Sequence, residues 1–344
     1  MILEGADKMN EIEVRELLPS EYKEWDLLVE EVQPGTLFHT SQWLEICRDI
    51  LSRNLRIYGC FRNSELVGGS PVFVKDFKGV LKVGHSTCNM TDYCGPLIKE
   101  DASSKAGKRI QETHDILNAL REFLCSQGFD MIHLIFSPGF EDIRPFTWNG
   151  WRPEVHYTHY LDLKEDIDSN ISKKIRKELK SASEAGLTTR VCNDLETYYS
   201  LLSKTYEKQN LKPPLPREFF ERVFKLIRER NIGYMLVCET PGGEAVAAHL
   251  ALYGKKCTVA WSSARDPSFS QRGANTLLYY NEFIDLKSRN FEYMNVMAGN
   301  VPRFADFIMG FSPKLIPYYS ATLENKKYSA IETLHGTVAK PLKR

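Results

Sequence analysis

Several familiar signatures are missing from this chain, and each absence removes a class of protein. No C-x-x-C pair occurs among its eight cysteines (Cys47, Cys60, Cys88, Cys94, Cys125, Cys192, Cys238 and Cys257), which are scattered and mostly set in apolar runs. That pattern reads as reduced, buried thiols of a cytosolic protein rather than a zinc site or a disulfide framework. Neither sign of charge is in excess, with 45 Lys+Arg against 45 Asp+Glu. No global field therefore advertises DNA or a membrane surface, and any polyanion site must be a local patch. No apolar run reaches the ~18 residues of a membrane helix. The opening "MILEGADKMNEIEV" carries acids early and lacks the apolar core of a signal peptide, so a cytoplasmic location is expected. H-E-x-x-H, G-x-S-x-G and the P-loop are all missing. His85, His114, His133, His156, His159 and His249 show no ligand spacing, and no metal is expected.

What is present is ample material for packed cores: 42% hydrophobic and 11% aromatic residues over 344 positions, a length that favours two domains. An internal repeat accounts for it. "LREFLCSQGFDMIHLIFS" (Leu120–Ser137) reads like "YNEFIDLKSRNFEYMNVMAG" (Tyr280–Gly299), with Phe123 against Phe283 and Phe129 against Phe291. "GWRP" (Gly150–Pro153) answers "GFSP" (Gly310–Pro313), and "RNSELVGGSPVFV" (Arg62–Val74) answers "PGGEAVAAHLALY" (Pro241–Tyr253). The matches keep their order, which argues for two related halves. The first copy carries an expansion between Gly79 and Lys105, around "HSTCNMTDYCGPLI".

Each half shares one grammar. The first has a strand at Glu13–Leu18, helices over Glu21–Val32 and Thr40–Leu51, and a hairpin over Leu55–Asp76. A helix over Lys108–Ser126 and strands at Met131–Phe136 and Val155–Leu163 follow. The second opens with a helix over Asn170–Ala185 and a strand at Leu187–Val191. Helices at Leu195–Gln209 and Arg217–Arg230, a hairpin over Gly233–Ser263, a helix over Ala274–Arg289 and strands to Leu323 complete it. This is an α/β order with a mixed sheet.

Two stretches carry chemistry. "QRGAN" (Gln271–Asn275) opens a helix on which Leu277, Tyr280 and Ile284 share one side. It reads either as a plain helix start capped by Ser270 or as a phosphate cradle, with N–H groups at the positive end of a helix dipole, Gly273 admitting the ligand and Arg272 adding charge. "SNISKKIRKELKSASEAGL" (Ser169–Leu187) sets Ile171, Ile175 and Leu179 on one stripe, with Lys173, Lys174, Arg176, Lys177 and Lys180 crowding the rest. That is the densest basic patch of the chain, a solvated face or a contact for a phosphorylated substrate or RNA. His249 alternates with Ala247 and Ala251, and reads as a core residue or a base.

The chain resembles the FemAB-type peptidyltransferases, a branch of the GNAT acyltransferase superfamily. The residues that carry the likeness are "LFHTSQWLEI" (Leu37–Ile46), "DYCGPLI" (Asp92–Ile98), "KKIRKELKSASEAGL" (Lys173–Leu187), "LKPPLPREFF" (Leu211–Phe220) and "GANTLLYYNEFI" (Gly273–Ile284). The resemblance implies two tandem GNAT-like (acyl-CoA N-acyltransferase) domains, each a mixed, mainly antiparallel sheet flanked by helices. They would span 1–165 and 166–327, with 328–344 as a tail. It implies N-acyl or aminoacyl transfer from acyl-CoA or aminoacyl-tRNA, neither tightly bound, to an amine such as one on a cell-envelope or polysaccharide precursor, with tRNA a partner in the second case. Trp261, Ser262 and Asn295 would line the reaction centre, where two strands splay apart, with His249 as a further catalytic candidate. Arg272, Gly273, Ala274 and Asn275 would hold the donor, and Lys173, Arg176 and Lys177 the substrate. The sequence departs from the family in two places: no long helical hairpin interrupts the second half, and the Gly-Ala turn is a degenerate pyrophosphate loop. A catalytically inactive binding module for a glycan precursor or a protein partner, and an RNA-binding protein, are the other readings.

Overall fold

In "NLRIYGCFRNSELVGGSPVFVKDF" (Asn54–Phe77) two apolar runs flank Asn63-Ser64, both at positive φ, and the pair folds back as a hairpin. The structure around it is a computed structural model that describes residues 11–51, 53–77, 79–269, 273–297 and 299–335. The first stretch of chain supplies β1 (Glu13–Glu16), α1 (Tyr22–Glu31), α2 (Ser41–Leu51), β2 (Asn54–Arg62), β3 (Glu65–Phe77), β4 (Leu81–His85), β5 (Leu97–Ile98), α3 (Ala106–Ser126), β6 (Met131–Ile135), α4 (Arg144–Thr147) and β7 (Arg152–Asp162). The second supplies α5 (Ile167–Asn170), α6 (Lys173–Glu184), β8 (Thr188–Val191), α7 (Leu195–Glu207), α8 (Arg217–Arg230), β9 (Gly233–Glu239), β10 (Ala245–Tyr253), β11 (Cys257–Arg265), α9 (Ala274–Ser288), β12 (Tyr293–Asn295), α10 (Pro302–Ile308), β13 (Lys314–Glu324) and α11 (Lys326–His335).

The described residues form two compact units, one drawn from residues up to 156 together with those from 317 onward, and the other from 157–316. In unit 1 the strands run β1-β2-β3-β4-β6-β13, and only β4 and β6 are parallel neighbours. In unit 2 they run β8-β9-β10-β11-β12-β7, and only β11 and β12 are parallel. Strand for strand the two paths are the same, as the repeat requires. The same α/β unit therefore occurs twice, each a mixed, mainly antiparallel sheet.

The last strand of each path differs from the expected division at 165/166. β13, which follows the second copy in sequence, pairs with β6 in unit 1 through Ser320↔Ile135 to Glu324↔Met131. β7, which ends the first copy, pairs with β12 in unit 2 through Tyr293↔Asp162 to Asn295↔Tyr160. Each unit is completed by the strand that the repeat assigns to the other copy, and sequence matching cannot reveal which copy a strand joins. The stretch expected as a tail begins instead within α11, whose Tyr328 is buried beside Leu81, Val83 and Met131 of unit 1. Residues 336–344 lie outside the described residues.

The unit 1 core gathers Tyr58, Val72, Ile116, Leu117, Leu120, Leu124, Ile132, Leu134 and Phe136, with α3 laid on the sheet. The unit 2 core gathers Ile171, Ile175, Ala182, Val246, Ala251, Leu278, Phe283, Leu286 and Met294. On α9 the buried face is Leu278, Glu282, Phe283 and Leu286, whereas Ile284 is 45% exposed. Of the residues expected to share one side, Leu277 and Tyr280 pack partly buried against this core. The helix expected over Asn170–Ala185 is α6, Lys173–Glu184; α5 ends at Asn170, and Ser172 starts α6 by accepting a hydrogen bond from the Ile175 N–H, 3.3 Å.

Candidate active site in unit 2

β11 and β12 run side by side for three paired positions, Cys257↔Tyr293, Thr258↔Met294 and Val259↔Asn295, and then separate. Two features at this point enforce the parting. On β11, Leu250 of β10 pairs with Ser262 and Ala251 with Ala260, so Trp261 is the extra residue of a β-bulge. On β12, the Asn295 side-chain oxygen accepts hydrogen bonds from Thr158 Oγ1 (2.6 Å) and from the Met297 N–H (3.0 Å), and Met297 turns away at φ +58. Beyond Val259, β11 has ladder partners on its β10 side only, among the described residues.

The bulge also changes which way side chains face. Trp261 packs on Phe219 and Phe220 of α8, with ring centroids 6.3 and 6.1 Å away. Ser262 accepts a hydrogen bond from the Tyr198 hydroxyl of α7, 2.6 Å, and Tyr198 packs on the same Phe220. Consecutive residues thus point toward one helical layer, which a regular strand does not allow. Ser263, opposite His249, bonds instead to Tyr279 of α9, and burial there pushes the Tyr279 hydroxyl up. His249 belongs to that second face. Its Nδ1 hydrogen-bonds Glu282, and its ring lies on Tyr279 at 4.4 Å, with both His249 and Glu282 buried. His249 is thus enclosed between β10 and α9. Asn295 is likewise buried and acts on the backbone turn.

A cavity of about 420 Å³ opens at the start of α9, lined by Lys174 and Glu178 of α6, Val246 and Ala247 of β10, Arg265 and Asp266, Phe269, Gly273 to Thr276, and Phe307. Of the residues expected to hold a donor, Gly273, Ala274 and Asn275 line it, while Arg272 and the cap candidate Ser270 lie outside the described residues. Of the expected basic residues, Lys173, Arg176 and Lys177 are exposed and outside the lining, and Arg176 is bonded to the Asp168 carbonyl. Their neighbour Lys174 is the lysine that faces the cavity. The sequence carried the signal in its basic run but not the rotation of α6 that selects one member. The first N–H groups of a helix lack intrahelical acceptors, so this end suits an anion. The two acids of the lining are engaged, Glu178 by the Thr276 hydroxyl and Asp266 by Lys204, 2.6 Å. Lys174 and Arg265 have no ion-pair partner among the described residues.

Asp266 fixes the loop that leads from β11 to α9. Besides Lys204, its carboxylate accepts from the Ser268 N–H (2.8 Å) and hydroxyl (2.5 Å). The Lys204 ammonium and Ser268 hold its pKa down to about 2. A depressed carboxylate contributes stability above its unfolded value of about 4 and loses it as pH falls through about 2. Acid unfolding of the wild type should therefore steepen between these values. Asp266→Asn should flatten that segment of the stability–pH curve, and an unchanged curve would contradict the assignment.

Unit 1 contains the equivalent parting and fills it. β4 and β6 are parallel over Val83↔Met131, Gly84↔Ile132 and His85↔His133. There the Ser86 N–H donates to the His133 carbonyl (3.0 Å), and the Ser86 hydroxyl accepts from the Ile135 N–H (2.9 Å). The expansion noted in the sequence then returns into the gap: the Cys94 N–H donates to the Ile135 carbonyl (3.3 Å), and a Cβ on Gly95 would stand 2.6 Å from that oxygen. Trp43 Nε1 donates to Thr91 Oγ1 (2.9 Å) and His39 Nε2 meets the Gly95 carbonyl (3.2 Å), holding the segment from outside. No open cleft is left between these strands.

Residues 169–304 match the acetyltransferase (GNAT) domain family, which places a GNAT domain over most of unit 2. The chain as a whole has a tandem GNAT fold. The structure of FemX superposes with a TM-score of 0.69 at 12% identity, covering 94% of this chain and 100% of that one. The C-terminal domain of a putative lysylphosphatidylglycerol synthetase from Agrobacterium fabrum gives 0.61 at 14% identity, covering 93% and 96%. A tandem GNAT protein from the clavulanic acid biosynthesis pathway gives 0.56 at 11% identity, covering 91% and 98%. No curated protein matches the sequence. Among the described residues no helix is long and apolar enough to cross a membrane, and no group of three or more His, Cys, Asp or Glu is placed to hold a metal ion.

Proposed function

We propose that the protein is an N-acyltransferase whose reaction centre is the parting of β11 and β12 in unit 2. The observation that carries this reading is the contrast between the two units: beyond Val259 one parting has no ladder partner among the described residues on its β12 side, and its counterpart is filled by the chain's own Ser86 and Cys94–Gly95. From Val259 to the cavity at Arg265 is about 20 Å of strand, at about 3.3 Å per residue. An extended activated donor fits that geometry, with its anionic part at the α9 N-terminus beside Lys174 and Arg265 and its carbonyl at the parting. Acyl-CoA and aminoacyl-tRNA both have this form, and the likeness to FemX and to a putative lysylphosphatidylglycerol synthetase supports the aminoacyl donor. The acceptor is an amine, one on a cell-envelope precursor under that likeness. With His249 and Asn295 enclosed, the chain contributes orientation and backbone N–H donors rather than a side-chain base, and the incoming amine loses its proton to solvent.

Incubating the protein with a panel of amines and either acyl-CoA or aminoacyl-tRNA, followed by mass detection of the acylated product, tests the reading. Transfer is expected from one donor class. Lys174→Ala and Arg265→Ala should each raise the donor KM about 10-fold, as loss of a charged hydrogen bond of about 1.5 kcal/mol implies, with the melting temperature unchanged. Because His249 and Asn295, two of the expected catalytic side chains, are enclosed, a module that binds such a donor without turning it over is the second reading. It predicts donor binding, sensitive to Lys174→Ala, with no product.

A further inference from the structure

The segment that fills the unit 1 parting brings a thiol into contact with a distant helix. Cys88, in the filling segment, and Cys47, in α2, both meet the hydroxyl of Thr91, at 3.3 and 3.6 Å. We propose that Cys47 and Cys88 are an oxidisable dithiol, converted to a disulfide by hydroperoxides.

The two sulfurs differ in the way such a pair requires. Cys88 is only half-buried, so a molecule as small as hydrogen peroxide reaches it, whereas Cys47 is fully enclosed. Hydrogen bonds from Cys47 and Thr91, with the Arg53 charge nearby, hold the Cys88 thiol below its ordinary value, and burial pushes Cys47 well above its own. The nucleophile is therefore the reachable sulfur and the resolving thiol is the enclosed one. The Cys88 thiolate attacks one oxygen of the peroxide. An S–O bond forms as O–O breaks, and the departing hydroxide takes the proton that Cys88 released, leaving as water. The Cys47 sulfur then attacks the Cys88 sulfenic acid. S–S forms as S–O breaks, and the hydroxide leaves as a second water with the Cys47 proton. Two thiols are oxidised and one peroxide is reduced. Cys94, the other enclosed thiol in the segment, donates instead to the Phe38 carbonyl at 3.2 Å and is directed away. The bond ties α2 to the segment lodged against Ile135, locking unit 1 in its filled form.

The test is a hydrogen peroxide titration of the folded full chain, followed by alkylation in denaturant and peptide mass mapping. The expected result is a Cys47–Cys88 cross-linked peptide and the loss of two hydrogens from the intact mass, reversed by dithiothreitol. The oxidised form should also melt several degrees higher, since the new bond closes a long loop. In Cys47→Ser, peroxide should leave Cys88 as a sulfenic acid that dimedone captures. A Cys88–Cys94 cross-link, or oxidation confined to the exposed Cys125 while Cys47 and Cys88 remain alkylatable, would overturn the proposal on the wild type alone.

Discussion

Replacing Glu282 with alanine is expected to cost about 3–5 kcal/mol of stability, the range found when one partner of a buried ionisable pair is removed. Glu282 stands on the inner face of α9 with no exposed surface, and its one described partner is His249 Nδ1 on β10. Among the described residues, neither His249 Nε2 nor Glu282 Oε1 has a hydrogen-bond partner. Truncating either residue thus leaves the other enclosed without its described hydrogen-bond partner. The neighbourhood gives no relief, because Tyr279 covers the imidazole at 4.4 Å and is itself packed on Phe307 and Phe311. Chemical denaturation should show Glu282→Ala and His249→Ala each strongly destabilised. The pair Glu282→Leu with His249→Leu should recover much of the loss, since an apolar pair of similar volume needs no hydrogen bond. A cost below about 1 kcal/mol for Glu282→Ala would mean that the pair is hydrated and not enclosed.

That pair also shows where sequence reading stops. Helical spacing located α9 to within a residue, because 15 helical positions follow a glycine. It placed Leu277, Tyr280 and Ile284 on one side, whereas the buried face includes Glu282, a residue that helical spacing of apolar positions does not mark. The partner that makes its burial tolerable lies on a strand 33 residues earlier. The basic run of α6 was equally visible, yet the cavity selects Lys174 over Lys173, Arg176 and Lys177, a choice set by how Ile175 and Ala182 seat the helix. The repeat was legible because Phe129 and Phe291 each precede a strand that pairs parallel to its neighbour. The exchange of β7 and β13 was not, because two homologous strands of 11 residues satisfy either sheet in sequence alone. The expansion after Gly79 could be located by length. That it returns to occupy the parting of β4 and β6 depends on contacts at Ile135 that no local pattern encodes.

Gly273→Val should abolish folding of unit 2 rather than merely obstruct a ligand. A valine at the α9 N-terminus would be tolerable only with a negative φ and open space beside the α-carbon. Neither holds. Gly273 has φ +101, a conformation that costs a branched residue about 1–3 kcal/mol by itself. Its missing Cβ would also stand 2.3 Å from the Glu178 carbonyl and 3.0 Å from the Ala182 Cβ, both on α6. Main chain cannot yield as a flexible side chain does, so α6 would have to lift off the core that Ile175 and Ala182 help to form. Gly273→Ala, which meets the same carbonyl, should already be strongly destabilised, and denaturation curves of the two variants should rank glycine over alanine over valine. The glycine is thus required for the closeness of α6 to α9, which is also what brings Lys174 to the rim of the cavity. Loss of donor binding in Gly273 variants would therefore not separate phosphate recognition from folding. Lys174→Ala and Arg265→Ala do separate them, because their charges project from elements whose packing rests on other residues. A Gly273→Val protein that folds with wild-type stability would show that α6 does not close over this turn, and would leave the turn open on the side from which the phosphate reading first drew its support.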